Sequence, residues 1–401
     1  MKKKIMLFVL LICLLMQTIP AFAADGESRD ISKNAVFSRD GKNKVTHRAN
    51  DRDMCTFIEL EPGEHLSVRA SDKKPLGWLF LRYWGLPAPF TVTELAADGT
   101  ALREQTVTGE LLSGLVELGE NCCTAVICCE TDKLKMAEVS VYTAGKLPAD
   151  VPVYTGSVEK TDMLIITTHP DDEWLFLGAV YPIFCAEAGH TGTVAYLTTP
   201  SYGRLHEALN GMYAGGLRTY PFFLGMKDID RSMADKQKDD FTEEMVALAL
   251  VRLYRQIRPL VVVTQDPVNG EYGHFQHVIG AQAALKAATL AGDPEYDPES
   301  AATLGVWSPL KVYQHMVTEN SIMLDCSSPL AAFNGDNALT VAKACYKHHK
   351  SQLRYSFSPT VKAGNYGDLR IYGLAYSSVG PDTGNDMFEN IPAELLIPQN
   401  D

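Results

Sequence analysis

The chain has 401 residues, of which 46% are hydrophobic and 21% charged, enough for two cored domains. Its formal charge of −13 argues against nucleic acid and anionic membrane as partners. It contains no Gly-x-Ser-x-Gly elbow, phosphate-binding loop, dinucleotide glycine fingerprint or His-Glu-x-x-His, so the chemistries those motifs carry lack their usual signatures.

The chain opens with Met1-Lys2-Lys3-Lys4, an apolar run from Ile5 to Met16, and Ala21-Phe22-Ala23. That order is the pattern of a secretory signal peptide, 1–23, cleaved after Ala23. The apolar run is too short to span a bilayer as a helix. The expectation is an exported protein, secreted or in the cell envelope, with no membrane contact after cleavage. Residues 24–50 are polar and read as an irregular lead-in.

From 51 to 146 the pattern is short and strand-like: His65–Ala70, Gly77–Trp84, Phe90–Leu95, Cys122–Cys129 and Ala137–Tyr142. Pro62-Gly63, Asp98-Gly99 and Gly119-Glu120-Asn121 supply turns between them. Short strands at this spacing predict an antiparallel β-sandwich. Its closing run, Ala137 to Tyr142, resembles the last strand of galactose-binding-like jelly rolls, a fold that carbohydrate-binding modules use. Trp78, Phe80 and Trp84 could offer a sugar platform, but their period of two fits a core face better. Cys122, Cys123, Cys128 and Cys129 form two adjacent pairs without the Cys-x-x-Cys spacing of a zinc site. They are expected to be buried thiols of a strand pair, with disulfides permitted by export.

Residues 147–159 contain Pro148 and Pro152 and read as a linker. Strands and helices then alternate through residue 355. The strands are Met163–Thr168, Thr193–Thr198, Pro221–Leu224, Leu260–Thr264 and Leu310–His315. The helices are Trp174–Ala188, Leu205–Ala214, Thr242–Ile257 and His277–Leu290. This alternation predicts an α/β domain with a Rossmann-like, mostly parallel sheet and flanking helices. The remainder, 356–401, is expected to be an extension packed on that domain, strand-like over Asp368–Val379.

Two strand-to-helix junctions carry the chemistry. At the first, the apolar run Leu164 to Thr168 ends in His169-Pro170-Asp171-Asp172-Glu173. His169 and Asp172, three apart, can face one side and suit zinc. Asp171 would then stay free as a general base beside the metal. At the second, Leu260 to Thr264 precedes Glu271-Tyr272-Gly273-His274-Phe275-Gln276-His277. If the two strands are neighbours, His277 completes a three-ligand set with an open position, and His274 is left to face substrate.

These motifs resemble those of the PIG-L/LmbE-like zinc deacetylases, which remove acetyl groups from N-acetylated amino sugars. Thr168 to Glu173 match the family's first motif, and Tyr272 to His277 match part of the second. Arg204 and Glu207 fit a looser Arg-x-x-Glu, and His349 to Gln352 fit a late His-x-Ser-Gln. The likeness covers about 160 to 355. It implies one Zn2+ per chain on His169, Asp172 and His277, with Asp171 as base and His274 as oxyanion or proton donor. Arg204 and Tyr272 become substrate-binding candidates. Phe275 stands for the family's Pro, and Gln276 for an Asp that would support the neighbouring His. His274 should therefore be harder to protonate.

The function expected is a secreted zinc-dependent hydrolase acting on N-acetylated amino sugars, with no protein partner. The alternatives are a secreted glycan-binding protein with weak or no activity, and an amidase for a non-sugar amide. Because every candidate residue follows position 160, the first domain is expected to fold on its own and to be dispensable for chemistry on small substrates.

Overall fold

The computed structural model describes residues 26–40, 46–230, 232 and 238–398. The expected signal peptide lies outside the described residues. Among the described residues, no helix is long and apolar enough to cross a membrane.

The first half folds as two antiparallel sheets around one apolar cluster. One sheet has the order β1 (Ala35–Arg39), β3 (His65–Ala70), β8 (Thr124–Cys128), β5 (Phe90–Leu95), β6 (Ala101–Val107). The other runs β2 (Ile58–Leu60), β9 (Leu134–Tyr142), β4 (Trp78–Tyr83), β7 (Ser113–Glu117). Period-two alternation explains the packing. Leu66 and Val68 of β3, Phe90 and Val92 of β5, and Leu79 and Leu81 of β4 all point into the shared core.

Part of the expected lead-in is regular. Residues 35–39 form β1, paired with β3 from Ala35↔Ala70 to Arg39↔Leu66. Five residues are too few to show a period, and the partner strand lies far along the chain. As expected, the four cysteines are free thiols, with Cys122, Cys123 and Cys129 buried and Cys128 half-buried. They do not share a strand, since Cys128 ends β8 and the other three lie outside it. Phe80 faces away from the sandwich core and is buried with Tyr142 under Val151 of the linker. Trp84 stacks on Phe57 at 4.8 Å and meets Tyr202 edge-on. Trp78 donates its indole N–H to the Gly145 carbonyl at 3.0 Å.

The second half is built on one seven-stranded sheet. Its order is β12 (Phe222–Met226), β11 (Gly192–Thr198), β10 (Met163–Thr167), β13 (Val261–Thr264), β14 (Lys311–His315), β16 (Ile371–Ser377), β15 (Ser321–Met323). The five strands from β12 to β14 are parallel, and β16 and β15 join antiparallel. Helices α1 (Asp172–Leu175), α2 (Tyr202–Ala214), α3 (Glu243–Ile257), α4 (Phe275–Leu290), α5 (Pro298–Leu304) and α6 (Ala338–Tyr346) surround it. Strand β10 is buried on both sides: Met163 and Ile165 belong to one apolar cluster, Leu164 and Ile166 to another. Ser201 and Thr242 cap α2 and α3 by accepting from the N–H of Arg204 and Met245.

The helix expected over 174–188 is broken. It makes one turn, α1, and resumes as a wider π-type turn at Tyr181–Glu187. Pro182 brings no N–H. Gly178 lets Ala342 approach, since a Cβ there would stand 2.8 Å from the Ala342 methyl and 2.3 Å from the Trp174 carbonyl. The tail contributes a strand to the sheet itself. Asp382 follows β16 and ion-pairs with the fully buried Lys311 of β14.

Strand order reverses at β10, with β11 on one side and β13 on the other. That makes the carboxyl edge of β10 and β13 the topological switch point, where open α/β sheets bind ligands. The sandwich is docked beside it. Leu112 sits in the α/β core, and Tyr83 O accepts from His206 Nε2 of α2 at 2.8 Å. Gly203 lies under the Met54–Cys55 loop, where an added Cβ would meet Met54 O at 2.6 Å. The first domain therefore buttresses the helix that carries Arg204.

Candidate metal and catalytic site

Both motifs leave the sheet at the switch point, and their side chains meet there. His169 Nδ1 and His277 Nε2 are 3.1 Å apart, and each stands 3.2 Å from Asp172 Oδ2. The turn is held locally, because Asp172 Oδ2 also accepts the His169 backbone N–H at 2.7 Å. All three residues are buried.

This triangle fits a divalent ion. Tetrahedral zinc with bonds of about 2.0–2.1 Å separates its donors by roughly 3.3 Å. A looser triad of His169, His274 and His277 also exists, with ligand atoms within 4.8 Å of one another. Asp172 is the closer third donor, and it brings the negative charge. Electrostatics point the same way. Burial alone would lower the His277 imidazole, yet the Asp172 and Glu271 carboxylates raise it to about 10. Asp172 and Asp228 likewise raise His169 against its burial. Carboxylates that hold protons on two buried imidazoles would hold a cation there instead.

Behind the triangle, His277 Nδ1 lies 2.7 Å from Glu271 Oε2, which fixes Nε2 toward the site. Glu271 Oε1 meets His315 Nδ1 at 3.1 Å, and His315 Nε2 donates to Asp368 O at 2.9 Å. Glu271 is thus the outer partner of the candidate ligand His277 and does not support His274.

Asp171 stands apart from the triangle. It adopts φ 125° and ψ −28°, a region a non-glycine residue rarely enters. Its N–H donates to Glu173 Oε2 at 2.7 Å, and Arg204 Nη2 donates to its Oδ1 at 2.8 Å. Burial pushes its carboxyl up to about 7, against the pull of Arg204. Glu173 is held in turn by His349 Nε2, 2.7 Å from Oε1. Glu207 accepts from the N–H and Oγ of Ser351 at 2.8 and 2.6 Å. The two looser sequence motifs therefore meet at the 349–351 segment, which His349 fastens to Glu173 of the first turn and Ser351 to Glu207 of α2.

An open cavity of about 760 Å3 covers these groups, lined among others by Asp171, Arg204, Asp228, Tyr272, His274 and Arg354. His274 opens onto it, and its Nδ1 has no partner among the described residues. Burial first, then the neighbouring His169 and His277, push its imidazole down to about 3, so it is neutral. Gln276 is turned away from it. Its amide donates to Lys227 O and accepts from Ile229 N–H, both at 2.9 Å, fastening the loop that carries Asp228. The Tyr272 ring packs between Phe176 and Phe357 at the cavity wall. Asp228 was not anticipated from the sequence. It follows β12 at the sheet's carboxyl edge, 3.4 Å from His169 Nε2 and 3.7 Å from Arg204 Nη1. Its position after a short apolar strand was the available signal.

Residues 164–288 match the family model described as PIG-L, GlcNAc-PI de-N-acetylase. A protein of Catenulispora acidiphila, named 1D-myo-inositol 2-acetamido-2-deoxy-alpha-D-glucopyranoside deacetylase 1, is 31% identical over 186 residues, 39% of this chain and 56% of that relative. The chain spans little more than half the length of the relatives it matches first. Among solved structures, N,N'-diacetylchitobiose deacetylase from Pyrococcus horikoshii aligns at 16% identity over 48% of this chain and 70% of its own, with a TM-score of 0.39. A family 32 carbohydrate-binding module of C. perfringens NanJ aligns at 16% identity over 29% of this chain and 98% of its own, with a TM-score of 0.24.

Proposed function

We propose that this chain, which carries a PIG-L-type domain over residues 164–288, is an exported zinc-dependent hydrolase that removes acetyl groups from N-acetylated amino sugars. The observation that carries the reading is the donor triangle of His169, Asp172 and His277, with the unligated Asp171 beside it at the cavity floor. One Zn2+ per chain is the proposed cofactor. When bound, it supplies Lewis-acid polarisation of a water or an amide carbonyl at its open position.

The chain's own groups would do the rest. Asp171 takes a proton from the attacking water as oxygen bonds to the acetamide carbon. The free oxygen of its carboxyl does this while Arg204 holds the other. His274, a neutral imidazole, donates an N–H to the tetrahedral oxyanion. The C–N bond then breaks, and Asp171 returns the proton to the leaving nitrogen. Acetate and a free amine leave. Arg204 and Asp228, a fixed donor and a fixed acceptor at the rim, suit sugar hydroxyls, and Tyr272 supplies an apolar wall. Export rests on the leader pattern from Met1 to Ala23.

The test is metal content and acetate release measured on one purified sample against a panel of N-acetylated sugars and non-sugar acetamides. Stoichiometric zinc with acetate from the sugars supports the reading. A fully loaded protein that releases acetate only from non-sugar amides, or from nothing, overturns it.

A further inference from the structure

A second cavity lies between the two domains, on the far side of the loop that covers Gly203. Its volume is about 680 Å3, within the range of small-molecule sites, which favour domain interfaces. The sandwich wall presents Arg82, Glu138 and Tyr142 from β4 and β9, and the α/β wall presents Asn210 and Tyr213 from α2. Arg82 and Glu138 are direct cross-strand partners, so their side chains share one face. They nevertheless form no ion pair: Arg82 donates to Ser140 Oγ at 3.1 Å, and Glu138 Oε2 accepts from the Arg52 N–H at 3.0 Å. Glu138 is only 2% exposed, and its other oxygen has no hydrogen-bond partner among the described residues. A buried carboxylate and a guanidinium with spare capacity, both at the floor of a cavity, are groups prepared for a ligand.

The charge balance narrows the ligand class. Arg52, Arg82, Arg218 and Lys350 line the cavity together with Asp30, Glu138 and Asp150. Four cations against three carboxylates do not select a polyanion. Donors and acceptors in one cavity, with the Tyr142 and Tyr213 rings, suit a neutral polyol. Helix α2 ties this cavity to the first. Arg204 lines the catalytic cavity and Asn210 lines the second. Six residues of helix separate them by about 9 Å. The 348–354 segment makes the same crossing, with His348 and Lys350 at one cavity and Gln352 and Arg354 at the other.

We propose that the interdomain cavity binds the distal sugars of a linear N-acetylhexosamine oligosaccharide whose reacting unit sits at the metal site. This rests on the deacetylase reading and extends it: the substrate is a glycan chain, and the sandwich takes part in holding it. The burial that pushes the Glu138 carboxyl up to about 7 favours a group that can donate as well as accept to hydroxyls.

The experiment uses the zinc-loaded full chain with N-acetylglucosamine and its β-1,4-linked dimer through pentamer. Ala214→Trp fills the cavity from an exposed position, and Asp150→Ala removes an exposed acceptor. The expected result is a kcat/KM that rises about tenfold from dimer to tetramer. Ala214→Trp should abolish that rise and Asp150→Ala should lessen it, with the monosaccharide rate unchanged in both. A flat length dependence, or a rise that survives Ala214→Trp, overturns the proposal. Calorimetric titration with the tetramer separates the two readings. If no sugar releases acetate, the deacetylase reading fails, but tetramer binding that Ala214→Trp removes still supports the cavity. No binding, or equal binding to both proteins, overturns it.

Discussion

At the residue scale, the two neighbouring aspartates are given opposite tasks by backbone geometry. Asp172 points into the His169–His277 pair, while the unusual φ of Asp171 turns its carboxyl toward Arg204 and the cavity. Asp172→Ala should lose most bound metal. Asp171→Asn should keep it and lower turnover by roughly 100-fold or more. Metal analysis beside steady-state rates checks both, and near-normal turnover in the Asn variant would remove Asp171 as the base. The strained turn also depends on a residue far along the chain. His349 and Glu173 are both buried, and Glu173 holds the Asp171 N–H. His349→Ala leaves Glu173 without its partner and should cost about 3 kcal/mol of stability. It should also lower kcat while KM and metal content stay near normal. Urea unfolding and kinetics of the same variant test this.

At the element scale, α2 is the strut between the domains. Its first turn carries Gly203 under the Met54–Cys55 loop and Arg204 against Asp171. Adding a methyl at Gly203 would bring it within 2.8 Å of Cys55 Sγ and 2.9 Å of Cys55 Cα, so backbone must shift. Gly203→Ala is expected to destabilise by about 2 kcal/mol, the usual cost of overpacking. Gly156→Ala, where an added Cβ meets nothing within 4 Å, should be close to neutral. Thermal unfolding of the pair settles it: equal midpoints would mean that the loop gives way freely. The broken helix after α1 is explained at the same scale. Gly178 yields space to α6, and α6 leads into the segment bearing His349.

At the scale of the whole molecule, the domain junction is expected to be sensitive to acid. His206 is buried, and its Nε2–H donates to Tyr83 O across the junction. Burial, helped by the nearby Arg82, pushes its imidazole from 6.5 down to about 4, against the pull of the Tyr83 carbonyl. Between those values the unfolded chain binds a proton that the folded chain does not. Stability is therefore fully present above about 6.5 and is lost as pH falls toward 4, by about 3 kcal/mol at most. His206→Gln, which keeps a donor but does not titrate, should flatten that part of the stability profile. An unchanged slope in the variant would assign the acid sensitivity to other groups.

The sequence by itself determined the local content of this protein. Apolar runs of strand length, followed by His169-Pro170-Asp171-Asp172 and by Tyr272 to His277, marked both halves of the candidate site, because ligand chemistry and strand period are local properties. The antiparallel and parallel halves were legible for the same reason. What depends on distant partners was not. Strand β1 exists only through β3, and β16 only through β14 and β15. Asp228 reaches the site because β12 lies two strands from β10 in the same sheet, and Glu271 turns to His277 and His315 rather than to His274. The docking of the sandwich on α2 was equally invisible, since a proline-containing linker reads the same whether its domains touch or not. Contacts between residues far apart in the chain leave no period in it. Only the tertiary structure decided which carboxylate serves which histidine.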